Sequence, residues 1–156
     1  MKSRGEKAPK KILVVDDDPD IHEALSMILE SNGYQVISAW DGIEGLACLK
    51  AQKPDLMIMD LMMPKMDGFA VLRELRDSKW SEFRNTPIMI LSSIREEASR
   101  RRYELETGVS LDVAGYVEKK TSPDVLVDDL VEKPFSPDII LRKVTKLLEK
   151  NQPSKK

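Results

Sequence analysis

The sequence predicts an α/β fold, a doubly wound parallel sheet with helices on both faces. Residues 12–15 (ILVV), 55–60 (DLMIMD) and 87–92 (PIMILS) carry continuous apolar runs. A strand that is apolar on both sides is buried on both sides, which is the situation in a parallel sheet. Segments with helical spacing of apolar residues alternate with these runs, as crossover connections between parallel strands require. The chain, at 156 residues, is long enough for one such domain and too short for two.

The elements follow in order. Residues 1–10 are Lys-rich, hold almost no apolar residues and are expected to form a flexible arm that precedes the domain at 11–150. Residues 12–15 are the first strand. Past an acidic cluster at 16–20, Ile21, Leu25, Ile28 and Leu29 recur at helical spacing, and Asn32-Gly33 is a fitting stop. Residues 35–39 (QVISA) form the second strand, and 43–50 the second helix, with Leu46, Ala47 and Leu49 inward. The third strand is 55–60. After the Asp67-Gly68 turn comes a helix over 69–76, and 87–92 is the fourth strand. Residues 94–106 have helical composition but few apolar anchors. There the pairs Glu96–Arg100 and Glu97–Arg101 would add roughly 0.2–0.5 kcal/mol each. Residues 137–150 are clearer: Ile140, Val144, Leu147 and Leu148 form one stripe, and lysines sit near the C-terminus. Residues 151–156 read as a frayed tail.

Composition narrows the function. With 41% hydrophobic and 33% charged residues the chain is globular rather than disordered. A net charge of −2 argues against direct nucleic-acid binding by bulk electrostatics. The single cysteine, Cys48, excludes an internal disulfide and fits a reducing compartment, packing as a small apolar residue. No apolar run approaches a membrane span, and the N-terminus has no signal-peptide core, so a cytoplasmic location without membrane contact is expected.

In an open parallel sheet the site lies beyond the carboxyl ends of the strands. The first strand ends in Asp16 and Asp17, the third in Asp60 and the fourth in Ser92. One Asp after a strand is usually a helix N-cap, and Asp18 and Asp20 are read as caps or solvent-facing residues. Three carboxylates converging on one crevice are harder to assign to capping, and they repel unless a cation sits among them. Oxygen ligands, with no His or Cys at hand, favour Mg²⁺ over zinc or copper.

The segments "ILVVDDDPDI", "DLMIMDLMMPKMDGFAVLRELR", "TPIMILSS" and "VEKPFSPDIILRKV" resemble the receiver (CheY-like) domain of bacterial two-component response regulators. That resemblance implies a five-stranded, flavodoxin-like sheet. It implies that Asp60 accepts a phosphoryl group from a phosphohistidine of a sensor histidine kinase or phosphotransfer protein. It further implies that Asp16, Asp17, Asp60 and the backbone carbonyl of Met62 hold Mg²⁺, and that Ser92 and a lysine contact the phosphoryl group. The protein would then be a phosphorylation-driven signalling module rather than an enzyme, acting by conformational change on a downstream protein. Nothing after the last helix resembles an effector module, so a stand-alone receiver is expected.

Two lysines compete for the last role, because "VEKKTSPDVLV" (117–127) is followed by "VEKPFSPDIIL" (131–141). Lys119 lies nearer the family's usual spacing from Ser92, and Tyr116 precedes it where many receivers carry an aromatic switch residue; Leu130 precedes Lys133. Lys133 is followed by Pro134, matching the family's Lys-Pro pair, whose cis bond aims the lysine inward. Only the second copy leads into a full amphipathic helix, and a helix begun near Pro123 would break at Pro134. Lys133 is therefore favoured, with Lys119 as competitor. Residues 107–128 would then be an insertion, with an extra hairpin or short helix in it.

His22, the only histidine, is read as a helix-surface residue. The methionines fill core and turns, and Met62 with Ile94 beside the acceptor predicts slow self-dephosphorylation, since an apolar side chain cannot hydrogen-bond the attacking water. Arg100–Arg102 is read as a solvated face, with partner docking second. Two other functions stay open. Asp16 and Asp18 satisfy the Asp-x-Asp spacing of Mg²⁺-dependent phosphohydrolases of the haloacid dehalogenase type, although no cap domain is available. A pseudo-receiver scaffold that is never phosphorylated is the other.

Overall fold

The first three helices each begin just after an aspartate that caps them, and this decides several boundaries, whereas the last helix follows Ser136, whose hydroxyl accepts the Ile139 N–H. In the computed structural model, residues 8–92, 101–102, 104–105, 109–111, 118–120 and 127–150 are described. In chain order the elements are β1 (Lys11–Val15), α1 (Pro19–Glu30), β2 (Gln35–Ala39), α2 (Gly42–Gln52), β3 (Leu56–Met59) and α3 (Gly68–Leu75). A 3-10 turn (Ser78–Phe83), β4 (Ile88–Ser92), β5 (Val109–Leu111), β6 (Glu118–Lys120), β7 (Asp129–Glu132) and α4 (Pro137–Lys150) follow. The carboxylates of Asp18, Asp41 and Asp67 accept the backbone N–H groups of Asp20, Glu44 and Ala70. These bonds satisfy otherwise unpaired donors at the N-termini of α1, α2 and α3. Helices α2 and α3 consequently start one residue earlier than hydrophobic spacing alone suggests.

Five strands form a parallel sheet in the order β2-β1-β3-β4-β7. Alternate residues face opposite sides. Ile12, Val14, Leu56, Ile58, Met89 and Leu91 meet Leu25 and Leu29 of α1 and Ile140, Val144 and Leu147 of α4. Leu13, Val15, Met57, Met59 and Ile90 meet Leu46 and Leu49 of α2 and Phe69, Val71, Leu72 and Leu75 of α3. Two cores thus sandwich the sheet, which explains why its central strands are apolar at every position. Cys48 packs against the α2–α3 core. Its thiol pKa is pushed up by burial and then by the Glu44 charge, in keeping with a packing role.

Between β4 and β7 the chain makes a separate antiparallel pair, with Ser110 opposite Lys119. It rejoins the sheet at Val127, which is fully buried in the α2–α3 core. The Asp128 N–H then donates to the Ile88 carbonyl, and its carboxylate accepts the Ile88 N–H. The 3-10 turn has no periodic signal in the sequence: it is capped by Asp77, and the Trp80 indole donates to Glu74 at 2.8 Å. The arm at 1–7, the tail at 151–156, Tyr116, Ile94 and the Glu96–Arg100 and Glu97–Arg101 pairs lie outside the described residues. Arg102 is not simply solvated. Its guanidinium bonds Asp67 at 3.0 Å and lies 4.4 Å over the Phe69 ring.

The start of α3 packs on the backbone that follows β3. A Cβ on Gly68 would stand 2.6 Å from the Asp60 carbonyl oxygen and 2.9 Å from Leu61 Cα. Neither backbone atom can swing aside, so Gly68→Ala should destabilise the protein by about 1–3 kcal/mol in denaturant unfolding.

Candidate functional site

The sheet's parallel register builds the site. Val15 is paired with Met59, so Asp16 and Asp60 each stand one residue past adjoining strand ends. The Asp60 N–H donates to the Val15 carbonyl at 2.9 Å and the Asp16 N–H to the Ala39 carbonyl at 3.1 Å. At the other flank Ser92 is in register with Glu132, which puts Lys133 one residue beyond the β4–β7 ladder. Four strand ends therefore deliver Asp16, Asp17, Asp60, Ser92 and Lys133 to one edge.

The carboxylates of Asp16, Asp17 and Asp60 lie within 4.8 Å of one another. Asp16 and Asp60 are buried, at 1% and 6% exposure, whereas Asp17 faces solvent. Asp16 Oδ1 accepts the Asp18 N–H at 2.9 Å. The Lys133 ammonium donates to Asp16 Oδ2 at 2.9 Å and lies 3.5 Å from Asp60 Oδ2. Burial is the largest single influence on Lys133 and favours its neutral form. The Asp16 hydrogen bond and the charges of Asp60 and Asp16 together outweigh it, so the pKa is raised and the group stays an ammonium at neutral pH. The Lys133-Pro134 peptide bond is cis.

Lys119, the competing lysine, sits in β6, outside the five-stranded sheet. Leu130, three residues before Lys133, is buried in the α2–α3 core. Met62 is 53% exposed on the loop after β3. That loop is held by bonds from the Gly68 N–H to the Leu61 carbonyl and from the Gly42 N–H to the Met66 carbonyl, both 2.8 Å. Asp18 is spent on capping α1 and is not part of the carboxylate group.

His22 corrects the sequence reading. It is buried at 5% exposure, with Nε2 2.7 Å from the Asp16 carbonyl oxygen. The signal was spacing: His22, Leu25 and Leu29 are the buried stripe of α1, and residue type hid what periodicity held.

Three hard oxygen donors, two of them buried and one open to solvent, fit Mg²⁺, which keeps waters beside a few carboxylates. Asp16, Asp17 and Asp60 could hold it, with Lys133 supplying the remaining positive charge.

A family model described as the response regulator receiver domain matches residues 12–131. The alkaline phosphatase synthesis transcriptional regulatory protein PhoP of Bacillus subtilis is 40% identical over 114 residues, covering 73% of this chain and 44% of that protein. A probable transcriptional regulator, ycf27, of Porphyridium aerugineum is 40% identical over 114 residues, covering 73% of this chain and 43% of its own. The chain thus spans less than half the length of these curated relatives. Among solved structures, the signal receiver domain of a signal transduction histidine kinase from Syntrophus aciditrophicus aligns with a TM-score of 0.72 and 27% identity. That alignment covers 94% of this chain and 95% of the other. The chemotaxis protein CheY4 of Vibrio cholerae aligns with a TM-score of 0.68 and 28% identity, covering 90% and 99%.

Removing the Lys133 charge leaves the carboxylates to repel one another. Lys133→Met should lower stability by about 2 kcal/mol, less than for a fully buried pair because the lysine is partly exposed. Added Mg²⁺ should raise the melting temperature of the variant more than that of the wild type, as read by thermal unfolding.

Proposed function

The chain belongs to the response regulator receiver domain family, whose general function is to accept a phosphoryl group, and on that footing we propose that Asp60 is the acceptor here. The donor is a phosphohistidine on a histidine kinase or phosphotransfer protein. The Asp60 carboxylate forms a P–O bond as the P–N bond of the donor breaks, and the proton that neutralises the leaving imidazole comes from solvent. The observation that carries this reading is the placement of Asp60 at a strand end, between two more carboxylates and an ammonium. Phosphoryl transfer asks the protein mainly for in-line positioning and charge neutralisation, and this crevice offers both.

Bound Mg²⁺, held by Asp16, Asp17 and Asp60 with the Met62 backbone carbonyl, would neutralise charge where the phosphoryl oxygens arrive. Lys133 supplies a charge-assisted hydrogen bond to the same group, and Ser92 a hydroxyl. Their movement toward the acyl phosphate biases a two-state equilibrium of the surface beyond β4 and β7. The output is a contact with a downstream protein rather than catalytic turnover, and the net charge of −2 favours that over contact of this domain with nucleic acid. Among the described residues no helix is long and apolar enough to cross a membrane.

Incubation with Mg²⁺ and acetyl phosphate should add one phosphoryl group to the wild type and none to Asp60→Asn, by intact-mass spectrometry. Equal incorporation by both proteins would reject Asp60 as acceptor, and release of inorganic phosphate from small phosphoesters without a stable acyl phosphate would favour the phosphohydrolase reading. Met62 is open to solvent and its thioether is no more than a weak acceptor that cannot position an attacking water, so the acyl phosphate should be long-lived. Met62→Asn should shorten its lifetime by about tenfold, below the full effect of a positioned base; an unchanged lifetime would remove Met62 from the account.

A further inference from the structure

Among the described residues, the phosphoryl-transfer scheme leaves one buried polar side chain, His22, without a part. His22 touches three groups: Nε2 lies 2.7 Å from the Asp16 carbonyl oxygen, Nδ1 lies 3.1 Å from Ser38 Oγ, and the ring centroid is 4.0 Å from that of Trp40. A carbonyl oxygen only accepts, so Nε2 carries the proton. In the neutral ring Nδ1 is then the acceptor, and the Ser38 hydroxyl donates to it. Ser38 and Trp40 come from the end of β2 and the residue just past it, so neighbours on the next strand fix the ring's orientation.

The carbonyl that His22 holds belongs to the peptide joining Asp16 to Asp17. Rotation of that peptide changes ψ of Asp16 and φ of Asp17, and with them the directions in which both carboxylates leave the chain. The Asp16 N–H is already tied to the Ala39 carbonyl. The His22 bond restrains the other side of the residue, where the two ligands join. We propose that His22 is a positioning residue for the cation site, one that orients the Asp16–Asp17 peptide and so sets Mg²⁺ affinity without touching the cation or the reacting atoms. The proposal rests on the reading of Asp16 and Asp17 as Mg²⁺ ligands. Groups that orient ligands from outside the coordination sphere typically change metal affinity by about 10–100-fold when lost.

Two substitutions separate orientation from space filling. His22→Gln keeps an N–H donor at about the reach of Nε2, whereas His22→Met keeps bulk without a donor. Mg²⁺ binding is measured by isothermal titration calorimetry, and phosphorylation by acetyl phosphate is followed against Mg²⁺ concentration. His22→Met should bind Mg²⁺ about tenfold more weakly than wild type. It should need correspondingly more Mg²⁺ for half-maximal phosphorylation and keep a saturating rate near that of wild type. His22→Gln should recover most of the affinity. Wild-type Mg²⁺ affinity in His22→Met, or equal loss in both variants, would overturn the assignment. If His22→Met does not fold, Ser38→Ala replaces it, since that change frees Nδ1. It should weaken Mg²⁺ binding severalfold, and unchanged affinity would overturn the proposal. A wild type that binds no Mg²⁺ would instead defeat the phosphoryl-transfer reading, and this assignment with it.

Discussion

Ionised carboxylates held within 4.8 Å of one another repel, and positive charge placed among them offsets that repulsion. Two full charges at about that distance repel by roughly 3 kcal/mol at an effective dielectric of 20. Lys133, 2.9 Å from Asp16 and 3.5 Å from Asp60, supplies part of the compensation from within the chain. The rest of the architecture can be understood as what brings these groups to one edge. Strand β7 must end beside β4, the intervening segment must be accommodated before β7 begins, and α4 must start soon after Lys133. The segment that carries Lys119 is accommodated as a separate antiparallel pair, which keeps it out of the five-stranded ladder.

The same constraint sorts the aspartates. Asp18, Asp41, Asp67 and Asp77 each accept a backbone N–H at the start of a helical segment. Their charges are used locally, in the favourable field of a helix N-terminus. Asp16 and Asp60 stand at strand ends instead, buried and facing each other. The acidic cluster at 16–20 therefore divides as its sequence suggests, with Asp18 capping α1 and Asp16 and Asp17 in the carboxylate group. Asp67 serves twice, since Arg102 from beyond β4 bonds the carboxylate that caps α3 and also stacks on Phe69.

The alternation of strands and helices was legible because burial on both faces of a parallel sheet leaves a strong signature, as in ILVV and LMIM. The strand-end carboxylates were legible by topology, and Lys133 by the proline that follows it and the amphipathic helix beyond. Other features were not. The 3-10 turn rests on a Trp80–Glu74 hydrogen bond and an Asp77 cap, neither of which has a periodic signal. The antiparallel pair at 109–111 and 118–120 is too short for alternation to be read. His22 lies on the buried stripe of α1 at helical spacing from Leu25 and Leu29, but its polar side chain reads as surface. Its burial depends on the Asp16 carbonyl and Ser38, partners that only the fold brings within reach.

The cation facing Asp60 comes from the strand-to-helix junction at Lys133 and not from the look-alike phrase at Lys119. Nuclear magnetic resonance of the lysine side chains, with each assigned by a Lys→Arg substitution, tests this directly. Addition of Mg²⁺ and the acyl-phosphate mimic beryllofluoride should shift the Lys133 ammonium resonance and slow its proton exchange, while Lys119 stays unchanged. A response at Lys119 with Lys133 silent would contradict the account.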